Sequence, residues 1–65
     1  METSILEVNN DGLELTLMDG SHWSVDPSDM SKTSCWYPGQ RIRIERHVLI
    51  NLDTSEPDKV RATRL

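Results

Sequence analysis

Leu13, Leu15 and Leu17 alternate with Glu14, Thr16 and Met18. Beyond Asp19-Gly20-Ser21 the alternation resumes, with Trp23 and Val25 set between His22, Ser24 and Asp26. Successive side chains on a strand point to opposite faces, so each arm has one apolar and one polar face. Asp-Gly between such arms is a strong hairpin signal, because glycine accepts the positive φ that tight hairpin turns need. The pattern predicts strands over 13–18 and 22–26.

The same reading extends outward. Residues 4–8 form a first strand with Leu6 and Val8 as the inward pair, closed by the turn Asn9-Asn10-Asp11-Gly12. Asp26-Pro27-Ser28-Asp29 places a capping carboxylate before a proline at the first helical position, with Asp29 in the first turn where the helix dipole favours negative charge. A short helix is expected over 27–34 and no further, because Pro38-Gly39 makes a turn. Arg41-Ile42-Arg43-Ile44-Glu45 begins a fourth strand at 41–46. The apolar run His47–Leu52 predicts a separate fifth strand at 48–52, although a fourth strand prolonged past a bulge is the alternative. Residues 53–58 make an exposed loop. Lys59–Arg64 closes the chain as a sixth strand with Val60 and Ala62 facing in.

Short strands with closely spaced turn signals point to an all-β fold with one short helix. With 65 residues there is room for one domain, 1–65, and a core of marginal size. A closed barrel removes the sheet edges that so small a fold would otherwise expose. The expectation is a small antiparallel barrel of five or six strands, SH3-like in size and OB-like in having a helix between its third and fourth strands. Phenylalanine is absent, so burial falls heavily on the two tryptophans, Trp23 and Trp36. Trp23 lies on the apolar face of a strand. Trp36 adjoins a turn, and its burial is left open.

The motifs DGSHW, CWYPGQRIRI and NLDT resemble a group of short bacterial proteins of uncharacterised function, which run a DGS-x-W turn, a W-x-PG turn before an alternating strand, and an N-x-DT hairpin. The resemblance covers most of the chain. It implies a bacterial small barrel and brings no activity, ligand or cofactor with it.

Chemistry-bearing residues are few. His22, His47 and Cys35 lack the paired spacing of zinc sites. They read as two surface-strand histidines and one small buried thiol. The glycines at 12, 20 and 39 belong to turns rather than to a phosphate loop. No metal, cofactor or catalytic group is expected, and the chain reads as a non-enzyme. A lone cysteine fits a reducing compartment. The opening residues carry neither a basic region nor an apolar run, so no signal peptide or membrane span is expected and the location is read as cytoplasmic.

Charge is the informative global feature. The net charge is −4, yet residues 1–30 hold seven acidic side chains and no Lys or Arg, while residues 31–65 hold all seven basic side chains and four acidic ones. Either the halves pair within the barrel, with Glu7 or Glu14 beside Arg43 or Arg61, or they form two faces of opposite sign. Ile5, Met18 and Met30 are candidate exposed apolar groups, with Met30 otherwise capping the barrel's open end. These features point to an interaction module that binds another protein or itself. The alternative is a weak single-stranded nucleic-acid binder using Arg41, Arg43 and Arg61 with Tyr37 for stacking, bordered by Arg46 or Lys59.

Overall fold

The computed structural model describes residues 1–54 and 57–65. Six strands form it: β1 (Glu2–Asn9), β2 (Glu14–Leu17), β3 (His22–Val25), β4 (Arg41–Glu45), β5 (Val48–Asn51) and β6 (Asp58–Arg64). They close into one antiparallel barrel in the order β1-β2-β3-β6-β5-β4. The fold is thus an all-β small barrel, and residues 48–51 are a strand of their own. The loop expected at 53–58 includes residues 55 and 56, which lie outside those described.

Two three-stranded meanders make the barrel. One is β1-β2-β3 and the other β4-β5-β6, and two seams join them. At the first seam Glu2, Thr3 and Ser4 oppose Arg43, Ile42 and Arg41. At the second Trp23, Ser24 and Val25 oppose Arg64, Thr63 and Ala62. The core comprises Ile5, Leu15, Leu17, Trp23, Val25, Trp36, Ile42, Leu49, Val60 and Ala62, with Val8 and Ile44 packed against it. Both indoles are buried, Trp23 at 3% and Trp36 at 4% exposure.

The first strand departs from the expected inward pair. Ile5 opposes Leu17 but Glu7 opposes Thr16, so an extra residue, Leu6, is accommodated between them. A bulge of this kind reverses the parity of the strand. Ile5 therefore points in, Leu6 is 53% exposed, and Val8 returns to the core side. Of the three candidate exposed groups, Met18 and Met30 are on the surface and Ile5 is fully buried.

The connection from β3 to β4 carries a 3-10 turn at Pro27–Asp29 and a single helical turn, α1 (Met30–Thr33). Asp26 caps the turn as expected, its Oδ1 accepting from the Ser28 amide at 3.0 Å and from the Ser28 hydroxyl at 2.9 Å. Thr33 then points inward, and its hydroxyl donates to the Gly12 carbonyl at 2.6 Å. This seats α1 on the turn between β1 and β2. Cys35 is exposed rather than a buried thiol, because Thr33 and Trp36 on either side of it take the inward positions.

Two polar side chains complete the interior. The Asn51 amide donates to Gln40 Oε1 at 2.8 Å, the Tyr37 backbone N–H donates to the same oxygen at 3.0 Å, and Asn51 Oδ1 accepts from the Asp53 amide at 2.9 Å. Among the described residues no buried side-chain nitrogen or oxygen lacks a partner.

Candidate functional site

On β5 the inward positions are Leu49 and Asn51, which leaves Val48 and Ile50 on the outer wall. Register places Ile50 between Arg43 of β4 and Lys59 of β6, and Val48 between Glu45 and Arg61. Ile50 is only 8% exposed despite facing outward. Long basic side chains cover apolar surface with their stems while holding the charge in water. Glu45, Arg46, Val48, Ile50 and Lys59 line a shallow groove of about 610 Å³ on this wall. The site is therefore an apolar ridge along β5 with cations on both flanks.

The four residues singled out from the sequence are not gathered at one point. Arg41 is tied to Asp53: its Nη2 and Nε lie 2.9 and 3.0 Å from Asp53 Oδ1, and its backbone N–H donates to Oδ2 at 2.8 Å. Those bonds hold the Asp53 carboxyl below its ordinary pKa. Arg43 lies on the β5 wall with its Nε 3.7 Å from Glu45. Arg61 is also on that wall, and its backbone N–H donates to Asp29 Oδ2 at 2.9 Å. Tyr37 is 62% exposed, in the turn before β4. The Glu45–Val48–Arg61 row is four residues along β4 from Arg41, about 13 Å at ~3.3 Å per residue. Arg41 and Arg61 thus belong to opposite ends of the sheet.

Val48 and Ile50 were not singled out from the sequence, although a signal exists. A run apolar at every position is the mark of a strand covered on both faces. The run Val48-Leu49-Ile50 therefore had to supply an outer apolar surface as well as an inner one.

The opposite wall differs in kind. Glu7 and Asn9 of β1, Glu14 and Thr16 of β2 and His22 of β3 point outward and, with Leu65, line a groove of about 530 Å³. Register partners of Glu7 and Glu14 are Thr16, Asn9 and Ser24, so neither stands beside Arg43 or Arg61. The pairing of halves within the barrel does not form at these residues. Among the described residues the ion pairs are instead Lys32–Asp29, Arg41–Asp53 and Arg43–Glu45. Among the described residues Arg46, Lys59 and Arg61 have no carboxylate in ion-pair contact.

His22 is on β3, His47 is in the β4–β5 turn rather than on a strand, and Cys35 follows α1. Among the described residues no three His, Cys, Asp or Glu side chains are placed to hold a metal ion. No helix among them is long and apolar enough to cross a membrane. Comparison with family profiles, curated proteins and solved structures finds no match to this chain.

Proposed function

We propose that this protein is a small bacterial, cytoplasmic, non-enzymatic interaction module that binds a protein partner, or itself, through the outer wall of β4-β5-β6. One observation carries the reading. The Val48–Ile50 ridge is apolar and bordered by Arg46, Lys59 and Arg61, which have no carboxylate in ion-pair contact among the described residues, while Arg43 is paired with Glu45 and Glu7 and Glu14 stand on the other side of the barrel. Apolar contact supplies attachment, and the charges select an acidic surface and set its orientation. The exposed thiol of Cys35 suits a reducing compartment.

The unneutralised cations also favour the second reading, a weak single-stranded nucleic-acid binder. Against it stand the net charge of −4 and the pairing of Arg41 with Asp53 and of Arg43 with Glu45, which takes two of the candidate cations out of the basic strip. A labelled oligothymidylate and an acidic amphipathic peptide of alternating Glu and Leu, titrated separately at about 50 mM salt, distinguish the two. The peptide is expected to shift the backbone resonances of Arg46, Val48, Ile50 and Lys59, and the oligonucleotide is not. Tighter binding of the oligonucleotide would overturn the protein-binding reading.

A further inference from the structure

The two walls complement each other. The β1-β2-β3 meander contains no Lys or Arg anywhere in residues 1–25, and its outer wall presents Glu7 and Glu14 around a groove of about 530 Å³. The β4-β5-β6 wall presents Arg46 and Lys59, with Glu45, around a groove of about 610 Å³ floored by Val48 and Ile50, and Arg61 stands beside Val48 on the same wall. In the ring β1-β2-β3-β6-β5-β4, β2 and β5 are three places apart, so the acidic and basic walls face in opposite directions. No molecule can bring its own two walls together.

We propose that the partner of this protein is a second copy of the chain, docked with the basic β5 wall of one molecule on the acidic β2 wall of the next. This deepens the interaction-module reading and rests on it. Because the two patches differ, the contact is heterologous, and because they point opposite ways it does not close on itself. Each added molecule leaves one acidic and one basic wall free. The body measures 26 × 23 × 20 Å, so one wall offers at most about 600 Å² against the ~800 Å² per partner of a standard stable interface. The association is therefore weak, reversible and carried by charge, and salt screens it.

Sedimentation velocity on the intact chain, from about 20 µM to about 1 mM protein at about 20 mM and about 500 mM salt, tests this. At low salt the average mass is expected to climb steadily with concentration, without levelling at a dimer. At high salt it stays at the 7.5 kDa monomer. Lys59→Glu and Glu14→Lys each weaken association by about tenfold, the scale of one lost interfacial charge pair. Mixing the two variants restores one junction, because the intact basic wall of Glu14→Lys meets the intact acidic wall of Lys59→Glu, so the mixture recovers a one-to-one complex that neither variant forms alone. Arg61→Glu and Glu7→Lys form a second such pair if either first variant fails to melt like the parent. A monomer at every concentration in low salt, a salt-insensitive dimer, or a mixture that does not recover would each overturn the proposal. If the chain stays monomeric while the acidic peptide still shifts the β5 wall, self-docking fails and the broader reading stands. If the peptide is also silent, both fail.

Discussion

Trp23 is held by more than apolar contact. Its indole N–H donates to Ser21 Oγ at 2.8 Å, and the Ser21 hydroxyl donates to Asp19 Oδ1 at 2.6 Å, so the buried polar atom is relayed to an exposed carboxylate. Trp23→Ala loses the largest kind of core side chain, and about 3–5 kcal/mol of stability with it. For a domain of this size that is most of the total, so denaturant titration is expected to find the variant largely unfolded at 25 °C. Gly12 is the second sensitive position. Its φ is +96°, and a β-carbon there would sit 2.7 Å from the Ser34 amide and 2.9 Å from the Thr33 hydroxyl. Gly12→Ala is expected to lower stability by about 1–3 kcal/mol, measurable in the same titration. Gly12 was legible as a turn residue. Its close approach to α1 was not, because Gly12 and Thr33 are 21 residues apart in the chain. Asn51 and Gln40 were illegible for the same reason: a buried amide is satisfied by a partner that only the fold brings near.

At the scale of elements, local chemistry was readable and long-range accommodation was not. The Asp26 cap, the glycine turn at Asp19–Ser21 and the Pro38-Gly39 turn, where Gly39 has a φ of +94°, follow from residues adjacent in the chain. The bulge in β1 does not, since it is set by how β1 must pair with β2 on one side and β4 on the other. Hence the alternation of residues 4–8 placed Leu6 inward, where Ile5 is found. The β4–β5 turn carries strain of its own, with Arg46 at a φ of +51°. A residue without a β-carbon relieves it, so Arg46→Gly is expected to leave thermal stability unchanged or raise it by up to about 1 kcal/mol in a melting experiment. Carboxylates that hold two turns and join Arg41 to Asp53 shape the response to acid. Asp19 is held below its ordinary pKa first by the Ser21 hydroxyl, Asp26 by the Ser28 amide, and Asp53 by the Arg41 side chain. A pKa lowered on folding gives stability that is present above the unfolded value of about 3.9 and is lost as pH falls through and below it. The melting temperature is expected to vary little with these groups from pH 7 to about 5 and to drop below about 4. Asp53→Asn flattens part of that drop, and a melting temperature unchanged down to about pH 2 would rule the mechanism out.

The whole molecule depends on closure. Two meanders of the kind seen here would each be an open three-stranded sheet with two bare edges, a state prone to pairing with other chains. The β1–β4 and β3–β6 seams remove those edges, and they also divide the charges. Because residues 1–25 carry no Lys or Arg and the second meander carries six of the seven, joining the meanders back to back puts Glu7 and Glu14 on one wall and the cations Arg46, Lys59 and Arg61, unpaired among the described residues, on the other. The uneven charge was plain in the sequence, but whether it paired internally or separated depended on which strands became neighbours. Strand order is the property that alternation alone leaves undetermined. Cross-strand nuclear Overhauser contacts test closure most directly. The structure requires close backbone proton pairs at both seams together, between Thr3 and Ile42 and between Ser24 and Thr63. Contacts within each meander but missing at either seam would mean an open sheet, and would contradict the barrel and the separation of charge built on it.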